Sequence, residues 1–121
     1  MKKMATQKVY RGSDLIIDLT LKDKNGNIYR VADIYGFDIK FYTTDKATFV
    51  ECSKEGETYS GIVSSTDTDE AVINSSDLDK LADGLIHYIY HIKIANSSFS
   101  DGYYDEYVTG ETPFYLKTET C

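Results

Sequence analysis

The sequence predicts an all-β chain, an antiparallel sandwich of about seven to nine short strands with one helical turn near residues 76–81. Three observations carry this expectation. Apolar and polar residues alternate at period two, most clearly over Leu85 to Ala95, which reads Leu-Ile-His-Tyr-Ile-Tyr-His-Ile-Lys-Ile-Ala. Turn-forming clusters, such as Asp23-Lys24-Asn25-Gly26-Asn27 and Asn96-Ser97-Ser98, separate the alternating runs. No run pairs a strand with a long helical pattern, which argues against a parallel α/β arrangement.

Taken in order, Gln7 to Arg11 is the first predicted strand. Leu15, Ile17, Leu19 and Leu21 then alternate with Asp14, Asp18, Thr20 and Lys22, leaving Ile16 as an extra apolar residue on the wet face. Asn25-Gly26 predicts a hairpin turn, because both residues accept positive φ at low cost. Ile28 to Ala32 is its short return.

Over Gly36 to Thr43, Phe37, Ile39 and Phe41 oppose Asp38, Lys40 and Tyr42. Ala47 to Cys52 and Tyr59 to Ser64 flank Lys54-Glu55-Gly56-Glu57, a second hairpin signature. Glu70 to Asn74 is a short strand. Ser76 to Leu81 reads as one helical turn, capped by Ser76 and turning Leu78 and Leu81 to one side.

The run at 85–95 is the longest predicted strand. It sets Ile86, Tyr88, Tyr90, Ile92 and Ile94 on one face, and Leu85, His87, Ile89, His91 and Lys93 on the other. Ser97 to Gly102 is a loop and Tyr103 to Val108 a strand. Gly110-Glu111 is a predicted turn before a closing strand, Phe114 to Lys117, with Pro113 tolerable at its start.

A chain of 121 residues fits one domain. The expected organisation is an N-terminal arm over 1–7 and a single sandwich over 8–121. The formal net charge of −7 argues against a nucleic-acid partner and against an anionic membrane surface, both of which call for clustered Lys and Arg. No apolar run is long enough to span a bilayer. Met1 to Gln7 carries positive charge with no apolar stretch behind it, so no secretory signal is expected. Cys52 and Cys121 are expected to be free thiols of a protein made in a reducing cytosol, with a disulfide between them as the alternative.

The residues that could carry chemistry mostly have plainer explanations. His87 and His91 at i, i+4 would suit a zinc pair on a helix, but on a strand they stand about 13 Å apart at roughly 3.3 Å per residue, too far to share one ion. Asp67, Asp69 and Glu70, and separately Asp23 to Asn27, lack the oxygen count and glycine placement of a calcium loop. Cys52 alternates with Val50 and fits a small core position. No nucleophile elbow or phosphate-cradling glycine loop is present. The expectation is a non-enzyme with no cofactor, no metal and no catalytic residues.

The eleven tyrosines are the remaining signal. Tyr103, Tyr104 and Tyr107 form a cluster suited to a partner surface, since Tyr joins apolar area to a polar tip. The His87, Ile89 and His91 face is the second candidate, with Ile89 an apolar residue placed to be covered by a neighbour.

The ordered pattern of Arg11-Gly12-Ser13-Asp14, the alternating run 15–21, the Asn25-Gly26 turn, Phe37-Asp38-Ile39-Lys40-Phe41, Leu78-Asp79-Lys80-Leu81, Gly84 with its long Tyr/Ile strand, and Thr112-Pro113-Phe114-Tyr115-Leu116 resembles a family. It is similar to the immunoglobulin-like β-sandwich modules of tailed-phage structural proteins, such as the N-terminal domain of upper baseplate proteins and small head or tail accessory proteins of crass-like phages. It departs from antibody domains in having no Trp and no inter-sheet cysteine pair, and, unlike the baseplate proteins, it is not expected to carry a receptor-binding or trimerising region after the module. The resemblance implies a virion component assembled in the host cytoplasm, an auxiliary capsid (decoration) protein or adaptor whose partners are other capsid or tail subunits. A tail or baseplate component, or a carbohydrate-binding module taking host surface glycans on exposed tyrosines, is the alternative. The family brings no catalytic residues.

Overall fold

The computed structural model describes residues 6–118. Its strands are β1 (Gln7–Tyr10), β2 (Leu15–Leu19), β3 (Leu21–Lys22), β4 (Ile28–Tyr29), β5 (Gly36–Tyr42), β6 (Val50–Glu55), β7 (Thr58–Ser60), β8 (Ile62–Ser64), β9 (Asp69–Ile73), β10 (Gly84–Ala95) and β11 (Tyr103–Lys117). A 3-10 turn, Val31–Asp33, precedes β5, and one short helix, α1 (Ser75–Leu78), follows β9. The all-β expectation holds, although the segmentation into eleven strands is finer than expected.

A six-stranded sheet runs β1-β11-β10-β5-β6-β7 and faces a three-stranded sheet ordered β2-β9-β8. The β3–β4 hairpin stands apart as a two-stranded ribbon. In the lettering of immunoglobulin domains, β2, β8 and β9 take the places of strands B, D and E, and β5, β6, β7, β10 and β11 those of C, C′, C″, F and G. This is the variable-type order, which adds C′ and C″ to the sheet holding G, F and C. All pairings are antiparallel except β1 with β11, which is parallel from Gln7–Phe114 to Tyr10–Lys117.

The two sheets bury Phe37, Phe41, Ile86, Ile92 and Leu116 of the large sheet with Ile17, Ala71 and Ile73 of the small one. Leu78 and Leu81 are buried in this core as well. As the alternation predicts, Ile86, Tyr90 and Ile92 of β10 are buried, and Tyr88 and Ile94 pack at the margin. Ile16 is 56% exposed, on the wet face where the alternation put it.

The expected strand Tyr59 to Ser64 is two strands, β7 and β8, broken at Gly61 and belonging to different sheets. Four further local expectations need correction. The run 15–22 is two strands, β2 and β3, broken at Thr20. The buried Tyr90 hydroxyl anchors this break: it donates to the Lys22 carbonyl and accepts the Lys22 N–H, each at 2.9 Å. The return after the Asn25-Gly26 turn is only two residues, because Val31–Asp33 winds into the 3-10 turn. The short helix starts at Ser75 with Asn74 as its N-cap residue, so Ser76 is not the cap. Instead, Asp14 Oδ1 accepts the Ser75 N–H at 2.8 Å.

The fourth correction is at Gly110-Glu111, which is not a turn. β11 continues through it as one strand of 15 residues. The glycine is there for space: a Cβ on Gly110 would sit 2.3 Å from the Tyr88 hydroxyl oxygen, so the Tyr88 ring occupies that volume. The irregularity falls just beyond, where Leu85 pairs with Tyr115 but His87 with Glu111. Pro113, lacking an N–H, sits in this bulge, and Thr112 Oγ1 bridges it by donating to the Ile86 carbonyl at 2.8 Å.

Gln7, assigned to the arm by sequence, is the first residue of β1. The rest of that arm up to Ala5, and Cys121 with any pairing to Cys52, lie outside the described residues. Cys52 itself is buried, with no disulfide partner among the described residues. Burial, with a smaller contribution from Asp77 and Glu51, pushes its thiol pKa up to about 11, which disfavours the thiolate at neutral pH.

Candidate functional site: the outer sheet face

The wet face of the six-stranded sheet is built by alternation on three central strands. β10 contributes Leu85, His87, Ile89, His91 and Lys93, all half-buried. Register sets Tyr42 and Glu111 beside His87, Lys40 and Thr109 beside Ile89, and Asp38 and Tyr107 beside His91.

His91 is the most constrained of these side chains. Its Nδ1 lies 3.1 Å from Asp38 Oδ1 and its Nε2 2.7 Å from Asp105 Oδ1. A carboxylate only accepts, so both contacts are hydrogen bonds only when both ring nitrogens carry protons. The Tyr107 ring stacks on the imidazole with centroids 4.6 Å apart and planes 19° apart. His87 stacks on Tyr42 at 5.6 Å, and its Nδ1 is 3.7 Å from Glu111 Oε2. The two histidines thus face the same way but belong to separate clusters, each with its own acid and its own tyrosine. Among the described residues, no group of three or more His, Cys, Asp or Glu is placed to hold a metal ion.

The three C-terminal tyrosines do not form one cluster. Tyr107 is on the outer face with His91 and is 67% exposed. Tyr103 shares that face but packs on Tyr35, ring centroids 5.0 Å apart, with the Lys93 ammonium 4.8 Å from its own centroid. Tyr104, one residue on, points to the opposite side, packs on Phe99 and donates its hydroxyl to Glu106. That hydrogen bond, with burial and the Glu106 charge adding to it, pushes the Tyr104 phenol up to about 12.

Sequence reasoning missed Asp38, Tyr42, Asp105 and Glu111 as members of the histidine clusters. The period-two pattern put Asp38 and Tyr42 on a wet face, but only strand order could show that β5 lies beside β10. It also missed Tyr35 and Phe99, single aromatics in turn-rich segments with no periodicity around them.

The acidic segment 67–70 has a structural task. Asp69 is 3% exposed and accepts from Arg30 Nε at 2.9 Å, Arg30 Nη2 at 3.0 Å, the Val31 N–H at 3.0 Å and the Ser64 hydroxyl at 2.6 Å. The Arg30 guanidinium also donates to the carbonyls of Ser65, Thr66 and Thr68. This latch ties the β8–β9 turn to the segment before β5. The Asp23 loop is likewise a self-contained turn, with Asp23 accepting from the N–H groups of Asn25 and Asn27, the Asn27 amide and the Tyr29 hydroxyl.

An open apolar cleft of about 190 Å³ lies between the sheets, lined by Ile17, Leu19, Phe37, Phe41, Tyr88 and Pro113 among others. Fold and surface together define an immunoglobulin-like sandwich with a structured aromatic and charged face. No protein-family model, no curated protein and no solved structure matches this chain.

Proposed function

We propose that this chain is a non-enzymatic structural module of a tailed-phage virion, an auxiliary capsid or adaptor protein that docks on neighbouring capsid or tail subunits. The virion assignment rests on the resemblance of the strand-and-turn pattern to tailed-phage modules. The docking role is supported by one observation: the outer face around Ile89, where His87–Tyr42 and His91–Tyr107 stacks flank a half-buried apolar residue on a rigid central strand. Aromatic residues set among hydrogen-bonded polar groups on a rigid element suit a protein interface, because little side-chain freedom remains to be lost on docking. The partners are virion subunits, and the place of action is the particle, assembled in the host cytoplasm.

The test is co-sedimentation of purified chain with phage particles lacking it. Ile89→Asp places a charge in the centre of the face and is expected to weaken association roughly tenfold or more, as loss of a central contact does, while the far-ultraviolet circular dichroism stays unchanged. Association equal to that of the native chain overturns this docking face.

A second reading, a carbohydrate-binding module, is favoured by the Tyr107 ring, which is 67% exposed and backed by the His91 imidazole. Tyr107→Ser would then abolish a glycan-array signal.

A further inference from the structure

The two flanks of the sandwich differ. At one, β7 passes into β8 across Gly61, so the chain itself joins the sheets. At the other, β1 is the last strand of the large sheet and β2 the last of the small one. Beside β2 lies the apolar cleft of about 190 Å³, with Ile17 and Leu19 on the β2 side, Thr112 and Pro113 on the β11 side, and the buried Phe37 and Phe41 between them. Its volume is below the roughly 300–1,000 Å³ of a small-molecule pocket and suits the side chains of a polypeptide.

Both strands that border the cleft have a free edge there. β2 pairs only with β9, so alternate N–H and C=O groups along Leu15–Leu19 turn away from the sheet, and none of them has another backbone partner among the described residues. β11 pairs with β1 only from Phe114 onward, so on that side Thr112 and Pro113 carry no strand among the described residues. A free edge beside an apolar cleft takes an extended chain: the edge supplies main-chain hydrogen bonds and the cleft receives side chains.

Chain direction names the occupant. β1 runs parallel to β11, with Gln7 paired to Phe114. Continued backwards in that register, the residues before Gln7 head toward Pro113, Thr112 and Glu111, all of which line the cleft. The chain reverses between β1 and β2, where the Ser13 N–H donates to the Tyr10 carbonyl at 3.1 Å, so the start of β1 and the Leu19 end of β2 lie toward the same end of the sandwich. Met1 to Ala5, at about 3.3 Å per residue, reach roughly 16 Å, the length of the five-residue β2. Met4 supplies an unbranched apolar side chain of the kind that adapts to irregular gaps.

We propose that the segment Met1 to Ala5 lies along the free edge of β2 near Leu19 and puts the Met4 side chain into the cleft, closing this flank. In that position it blunts an edge that would otherwise template pairing with another chain. This contact lies beyond the virion reading and does not use the Ile89 face.

The test uses the free, full chain. Its two methionines, Met1 and Met4, both belong to this segment, so carbon-13 labelling of the methionine methyls reports on it alone. The Met4 methyl is expected to show nuclear Overhauser contacts to Leu19 and Pro113 that survive dilution. Removal of residues 1–5, or Met4→Asp, should speed amide exchange over Ile17 to Thr20 about tenfold or more, as opening a paired edge does, and leave β10 unchanged. Methionine methyls with free-peptide shifts and no contact to the cleft overturn the proposal, as does exchange over Ile17 to Thr20 that neither change alters. Contacts that disappear on dilution also overturn it, because the segment then sits on a second copy. Where the truncated chain fails to fold, the methyl contacts of the native chain decide. Particle association plays no part in these readouts, so their failure and the failure of the docking face are told apart.

Discussion

The two faces of β10 follow one alternating rule and end in different physics. On the inner face Ile86, Tyr90 and Ile92 are buried among apolar neighbours from both sheets, and their value is area removed from water, about 1.5–3 kcal/mol for each fully buried large side chain. On the outer face His87, Ile89 and His91 are half-buried by neighbours on the same sheet, held by stacking and by carboxylates rather than by a second layer. Cross-strand pairs of that kind contribute roughly 0.2–1 kcal/mol each. The contrast teaches that the inner face specifies the fold, while the outer face is held by contacts within its own sheet that contribute far less to stability.

Substitutions that separate the faces test this, beginning with the largest effect. Ile92→Ala, at a fully buried position, is expected to cost about 3–4 kcal/mol in urea unfolding, from lost transfer energy and the cavity left behind. A cost below 1 kcal/mol would erase the distinction between the faces. Asp69→Ala should cost about 2–3 kcal/mol, because the Val31 N–H and Ser64 hydroxyl lose their acceptor.

The same residue sets a pH dependence. Burial raises the Asp69 carboxyl, but bonds from Arg30, Ser64 and the Val31 N–H outweigh it and hold the group below the usual carboxylate range. A depressed folded-state pKa stabilises above the unfolded value of about 3.9 and is lost as pH falls through the folded one. Asp69→Asn should therefore flatten the acid limb of the stability curve below about pH 4, where the native chain steepens.

Gly110→Ala forces the Tyr88 ring to move and should cost about 1–2 kcal/mol, with most of the cost removed in a Tyr88→Ala background. Additive effects of the two changes would show that the ring does not hold that space. The smallest effect belongs to the outer face: Tyr107→Ser is expected to change stability by less than about 1 kcal/mol. A loss comparable to that of Ile92→Ala would make Tyr107 part of the folding core.

Much of the fold was legible because period two survives tertiary packing. Phe37, Ile39 and Phe41, and Ile86, Tyr90 and Ile92, all point inward as their alternation requires. The errors came where one residue type serves two purposes. Gly110 read as a turn because glycine favours turns, whereas its role is to leave room for a ring 22 residues away in sequence. Thr20 looked like part of a continuous strand because nothing in the local alternation marks the break, while the Tyr90 hydroxyl that holds Lys22 just after it comes from another sheet.

The candidate surface was half legible. His87, Ile89, His91 and Tyr107 could be placed on wet faces, but the pairing of His91 with Asp38 and Asp105 depends on the order β11-β10-β5, which no local pattern encodes. Tyr103, Tyr104 and Tyr107 looked like one cluster by proximity in sequence, and strand alternation divides them between two sides of the sheet.

The most direct measurement is hydroxyl-radical footprinting of Ile89, His91 and Tyr107 in the free chain and in the assembled particle. Protection of all three only in the particle, with Ile92 protected in both, is the predicted result. Equal reactivity of the three residues in both states would contradict the claim that this face is where the chain docks.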